Sequence, residues 1–182
     1  MIFIKYDYLP KNVFTDLQNY CLKSQFEIKK VGNKHYSVLE TPKEILPYLQ
    51  ADGHKVILSF IRSAYKGFDD IMRIHADGII NNQKTDLASV LYINKNTITE
   101  NGTKFYKHHK YGLKLPLDIS NIEYDRLILE DSNDVSKWSE VDKIQAAPNK
   151  LLMYNANLFH SKYPNEIEKG TRIILVSFYK KL

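Results

Sequence analysis

From Gly67 to the C-terminus the chain is divided into short apolar segments by polar, turn-forming residues, and no helical pattern alternates with them. The segments 71–75, 88–93, 104–107, 126–130, 143–146, 151–154 and 172–179 are rich in β-branched, aromatic or leucine residues, which suit a pleated, half-buried surface. Most are separated by stretches carrying Asn, Asp, Gly or Pro, at 81–83, 94–102, 131–134 and 163–170, the residues that turns use. Strands that follow one another without crossover helices argue against a parallel α/β sheet. They predict an all-β body: a sandwich, a jelly roll or a barrel.

The first third reads differently. Val13, Phe14, Leu17, Tyr20 and Cys21 fall on one face of a helix over about 11–24. Thr41-Pro42-Lys43-Glu44 has the form of a capping box with proline at the first helical position, and Pro47 keeps any such helix short or kinked. Val56, Ile57, Phe60, Ile61 and Ala64 predict a third amphipathic helix that Gly67 stops. Repeats, low-complexity segments and linkers are absent from the sequence. The chain therefore reads as one domain over 1–182, with a helix-rich support over about 1–67 and a β core over about 68–182.

Composition excludes several classes. At 182 residues with 43% hydrophobic positions, the chain can bury a core without staples. Its longest apolar runs, such as Ile173-Ile174-Leu175-Val176, are far short of the roughly 20 residues that cross a bilayer. The N-terminal apolar stretch lacks a basic lead and is broken at Lys5, unlike a secretory signal; with the single Cys21, this predicts a cytoplasmic protein. The net charge of +5 is modest and scattered. Only Lys107-His108-His109-Lys110 forms a local basic patch, which reads as a solvated loop before it reads as a nucleic-acid contact.

Chemistry enters at Arg73-Ile74-His75-Ala76-Asp77. With a strand period of two, His75 and Asp77 project from one face, and an imidazole beside a carboxylate offers two ligands to a metal. Alone, the pair reads as a strand-end histidine beside a solvated aspartate. His160, after an apolar strand, can supply a third ligand from elsewhere in the sheet. Arg172 then opens the apolar run 173–176, where a guanidinium calls for a partner, and a carboxylate matches its planar fork best. Two histidines and one carboxylate on one face of a metal are typical of non-haem Fe(II) oxygenases, and the same set suits catalytic zinc.

The order of these residues resembles the 2-oxoglutarate- and Fe(II)-dependent oxygenases, in particular their prolyl-hydroxylase-like branch. Ser89-Val90-Leu91-Tyr92-Ile93-Asn94, Asn101-Gly102-Thr103-Lys104-Phe105-Tyr106 and Ala147-Pro148-Asn149-Lys150-Leu151-Leu152-Met153-Tyr154 are similar to the branch's next strands, and the likeness runs from about 73 to 178. Asn101 stands where the family usually has a glycine, Lys150 where arginine is common, and the interval from His160 to Arg172 is longer than in many relatives. The resemblance implies a double-stranded β-helix, the cupin-like jelly roll, with the helices outside. It implies Fe(II) held by His75, Asp77 and His160, 2-oxoglutarate chelating the metal, and O2 taking the last position. Arg172 would clamp the distal carboxylate of 2-oxoglutarate, assisted by the hydroxyls of Tyr92 and Thr103. Hydroxylation of an unactivated C–H bond of an amino-acid, peptide or small-molecule substrate, with release of succinate and CO2, is the implied reaction.

Two other readings fit the residues. One is a non-catalytic jelly-roll binding domain with structural His75 and His160; the other is a zinc hydrolase on the same three ligands, which has no use for Arg172. Nucleic acid as a partner would need a basic, aromatic face, whereas most of the 13 tyrosines fall in strand or helix patterns. Trp138 reads as folded onto the core, His108 and His109 point to opposite faces, and His35 and His54 have no spacing that links them to the site.

Overall fold

A computed structural model describes residues 1–31, 34–69, 73–80, 83–95, 100–116 and 118–182, with the side chains of Val31, Lys34 and Asn121 left aside. Twelve strands are described: β1 (Ile2–Lys5), β2 (Glu27–Val31), β3 (Lys34–Glu40), β4 (His54–Tyr65), β5 (Ile79–Ile80), β6 (Gln83–Lys84), β7 (Leu87–Tyr92), β8 (Gly102–His108), β9 (Trp138–Gln145), β10 (Lys150–Asn155), β11 (His160–Tyr163) and β12 (Thr171–Lys181). Two α-helices accompany them, α1 (Lys11–Lys23) and α2 (Asn121–Arg126). The strands form antiparallel sheets, a seven-stranded one in the order β1-β10-β7-β12-β4-β3-β2 and a three-stranded one in the order β11-β8-β9, beside the small β5-β6 pair. Among the described residues no helix is long and apolar enough to cross a membrane.

Alternation along the central strands sorts the core into layers. Leu91 of β7, Leu151 and Met153 of β10 and Leu175 of β12 face outward, where Phe14, Leu17 and Cys21 of α1 cover them. Val90 and Tyr92, Leu152 and Tyr154, Ile174 and Val176 face inward and meet Phe105 of β8 and Ile144 of β9 across the gap between the sheets. A third cluster, Ile74, Tyr106, Leu127, Trp138 and Phe159, backs the smaller sheet. The helix over 11–24 is thus present as α1, and the antiparallel all-β body is observed.

The other N-terminal helices are not. Residues 54–65 form β4, the neighbour of both β12 and β3. Along β4 apolar residues occur on both faces, most of them only partly buried, so its Val, Ile and Phe also satisfied a helical period. The Thr41 capping box opens only turns and a 3₁₀ segment, Leu46–Tyr48, with Pro47 inside it. Residues 126–130, expected as a strand, are the end of α2 and a π-helical turn, Leu127–Asp131. Ser120 caps α2 by accepting from the Glu123 amide at 3.2 Å, and this Ser-x-x-Glu box was the legible signal. Ile71 and Met72 of the strand expected over 71–75 lie outside the described residues, as do Asn81, Asn82 and residues 96–99 of the expected turns; His75 itself makes an isolated bridge to His160. The basic patch is split, with His108 buried against Asp131 at 3.1 Å and His109 exposed. Trp138 opens β9 as a buried core residue, its indole N–H donating to the Asp131 carbonyl at 2.7 Å.

Candidate metal centre

Backbone pairing brings the three ligands together. β11 runs antiparallel to β8 with His160 opposite Phe105, and on its other side His75 and His160 exchange both backbone hydrogen bonds, at 3.0 and 2.9 Å. The Asp77 amide donates to the Ala156 carbonyl at 2.7 Å, which holds the carboxylate two residues beyond His75 against the end of β10. Four separate segments of sequence therefore converge on one point, and one ligand atom from each of His75, Asp77 and His160 lies within 4.8 Å of the others.

The imidazoles are oriented before any ligand arrives. His75 Nδ1 lies 2.9 Å from the Arg73 carbonyl, and His160 Nδ1 lies 2.9 Å from the Leu158 carbonyl. A carbonyl only accepts, so each Nδ1 carries a proton, and Nε2 is the nitrogen each ring turns toward the other ligands. Nε2 of His75 is 3.5 Å from Asp77 Oδ1, and Nε2 of His160 is 3.3 Å from Asp77 Oδ2. Backbone carbonyls holding the far nitrogen are the arrangement by which proteins fix a metal-binding tautomer.

The electrostatics set the same state. Burial, and then the neighbouring His160, push the His75 imidazole down to about 4, so it is neutral at pH 7. Burial alone would raise Asp77, but His160, His75 and the Tyr154 hydroxyl together hold it below its ordinary value, and it is ionised. Tyr154 is the residue that sequence reasoning placed only in a strand. Its hydroxyl lies 2.9 Å from His160 Nε2 and donates to Asp77 Oδ2 at 3.4 Å, and burial followed by Asp77 raises it well above the usual tyrosine range. Two imidazoles and a carboxylate are the donor set of a 2-His-1-carboxylate metal site.

The three residues line a cavity of about 900 Å³ that also reaches Thr103 and Arg172. Arg172 is 5% exposed. Its Nε donates to Asn101 Oδ1 at 2.9 Å and its Nη2 to the Gly102 carbonyl at 3.3 Å, and its guanidinium lies 5.8 Å from the Tyr92 ring centre. The hydroxyls of Tyr92 and Thr103 are 2.8 Å apart. Both acceptors on Arg172 are neutral, so among the described residues this buried cation has no carboxylate partner. The register that turns it inward is set by Asn94, whose amide donates to the Thr171 carbonyl at 2.5 Å and accepts from the Ile173 amide at 2.9 Å. The longer turn before β12 leaves that register intact. Asn101, a departure from the family pattern, is the Arg172 acceptor, and Lys150, the other departure, donates to the Gln145 carbonyl at 2.6 Å.

All six residues singled out for the site thus surround one cavity or support its wall. Sequence reasoning missed Arg62, Asp69 and Tyr36, which line it from the seven-stranded sheet and its turn, and His35, for which spacing gave no connection. Arg62 was hidden because 56–65 read as a helix; with a period of two, Phe60 and Arg62 share the inner face.

Solved structures that share this architecture are found at low sequence identity. HygX from Streptomyces hygroscopicus, solved with nickel, 2-oxoglutarate and hygromycin B bound, is 10% identical with a TM-score of 0.63, covering 99% of this chain and 82% of HygX. SnoK, a non-haem α-ketoglutarate-dependent carbocyclase from nogalamycin biosynthesis, is 13% identical with a TM-score of 0.65, covering 98% and 79%. A 2OG-Fe(II) oxygenase family oxidoreductase from Burkholderia pseudomallei is 11% identical with a TM-score of 0.57, covering 98% and 85%. At these identities the likeness establishes a shared fold. No curated protein matches the sequence. The model of a family of unknown function, DUF6445, matches residues 11–169, and the chain belongs to that family.

Proposed function

We propose that the protein is a 2-oxoglutarate- and Fe(II)-dependent dioxygenase that hydroxylates an unactivated C–H bond of a small-molecule, amino-acid or peptidyl substrate, and that it falls near the prolyl-hydroxylase-like branch. The observation that carries this reading is one cavity holding two separate features: the His75, Asp77, His160 set and, apart from it, a buried arginine with only neutral acceptors. The donor set fits Fe(II), with Nε2 of each histidine turned toward Asp77. The arginine fits the distal carboxylate of 2-oxoglutarate, a dicarboxylate that can reach both. Bound there, Fe(II) with 2-oxoglutarate and O2 supplies an oxidant strong enough for a C–H bond, with succinate and CO2 as co-products.

The chain's own residues do the positioning. His75, Asp77 and His160 would hold the metal, and Tyr154 would keep its hydroxyl on the Asp77 carboxylate once a metal takes the His160 lone pair. Arg172 would pair with the distal carboxylate while Asn101 and Gly102 keep its guanidinium in plane, and Tyr92 and Thr103 would add hydroxyl donors. A zinc hydrolase needs no such buried cation, and a binding domain needs no pre-oriented lone pairs.

The test is the affinity of the nickel-loaded protein for 2-oxoglutarate, measured calorimetrically in wild type and Arg172→Leu. Loss of a buried, bidentate-capable cation is expected to weaken 2-oxoglutarate by about a hundredfold while nickel affinity stays the same. Equal affinity in the two proteins would contradict the role given to Arg172.

A further inference from the structure

The wall of the cavity that holds the metal set also carries an ion pair, Arg62 with Asp69, that takes no part in that set. Arg62 projects from β4 between Val38 of β3 and Ile174 of β12, its register partners, both buried aliphatic residues. A guanidinium there displaces what would be an apolar contact, and a half-buried ion pair is weak evidence for stability. Asp69 meets it in two parallel bonds, Nε to Oδ2 at 2.5 Å and Nη2 to Oδ1 at 2.5 Å. Asp69 has a left-handed backbone conformation, φ 52°, which aspartate adopts more readily than most residues. The guanidinium also lies 4.5 Å from the centre of the Tyr36 ring.

This clamp uses only one edge of the guanidinium. Of its five N–H donors, the two on Nη1 and the second on Nη2 have no acceptor among the described residues, and that edge can take a second pair of oxygens. Arg73, two residues before His75 and lining the same cavity, makes no ion pair among the described residues either. Phe60, Ile80 and Ile128 line the same cavity with apolar side chains.

We propose that Arg62, set by Asp69 and Tyr36 and assisted by Arg73, is the anchor for the substrate's carboxylate, and that the substrate is a small acid with one carboxylate on an apolar body. The proposal rests on the oxygenase reading and narrows its substrate class. Arg62 is a specificity residue that touches substrate; Asp69 and Tyr36 position it.

The experiment uses protein loaded with nickel and saturating 2-oxoglutarate, so that no turnover occurs, and saturation-transfer NMR against arylalkanoic acids, each paired with its primary amide. The acids are expected to bind about tenfold or more tightly than their amides, the scale of a charge-assisted hydrogen bond. Arg62→Gln with Asp69→Asn, a double variant that leaves no unpaired charge behind, should erase that preference while 2-oxoglutarate affinity stays at the wild-type value. Arg73→Gln should reduce it. Amides that bind as well as acids would overturn the proposal, as would acid binding untouched by the double variant, or acids that bind only by displacing 2-oxoglutarate. Each of those results leaves the oxygenase reading standing. A protein that takes up neither nickel nor 2-oxoglutarate removes the oxygenase reading and the anchor with it.

Discussion

Asp77→Ala is expected to abolish tight binding of Fe(II) or nickel while the metal-free protein stays folded. The carboxylate is the only anionic member of the set, and both histidines present Nε2 to it, at 3.5 and 3.3 Å. Removing it leaves two imidazoles, neither of which can offer a negative charge to a divalent ion. Loss of an outer hydrogen-bond partner of a metal ligand costs roughly 10- to 100-fold in affinity, and loss of the ligand should exceed that. Folding is expected to survive because the two histidines remain joined through their backbones, at 3.0 and 2.9 Å, and keep their Nδ1 contacts. Metal titration followed by calorimetry checks the first part, and a thermal melt of the metal-free protein checks the second. Wild-type affinity in the variant would remove Asp77 from the ligand set.

The other large effect is structural. Gly102→Ala should destabilise the protein by about 3 kcal/mol, a fall in Tm of roughly 10 °C for a chain of this size. A Cβ at this position would sit 2.0 Å from the Ile144 carbonyl oxygen, and 2.7 and 2.9 Å from atoms of the Tyr163 ring and hydroxyl. The first contact is backbone, which no rotamer change relieves, so β8 and β9 must separate where Gly102 pairs with Gln145. The Gly102 carbonyl is also an acceptor for Arg172. The same substitution should therefore weaken 2-oxoglutarate in whatever protein remains folded. An unchanged melting temperature would show that the sheet has slack there.

What could be read from residues alone depended on how local the signal was. His75, Asp77 and His160 were legible because a strand alternation and a fixed order carry them. Arg172 was legible because a cation opening an apolar strand needs a partner. Arg62 was not, because it lies in a strand with apolar residues on both faces, where helix and strand periods agree over 56–64. The distinction between them is made by the neighbours on each side, β3 and β12, which are distant in sequence. Residues 126–130 failed for the opposite reason: their leucines and isoleucine suit a strand, but the local cap at Ser120 had already started a helix. Tyr154 was visible as a core strand residue, and only the convergence of β10 with β11 shows its hydroxyl against His160 and Asp77.

The central claim is that this chain binds Fe(II) and 2-oxoglutarate together at one site. Anaerobic addition of Fe(II) and then 2-oxoglutarate to metal-stripped protein, followed in the visible range, tests it most directly, with His160→Ala as the control. The account requires a charge-transfer band from the chelate in wild type that is absent in the variant. No band from folded protein with demonstrated Fe(II) binding would contradict it.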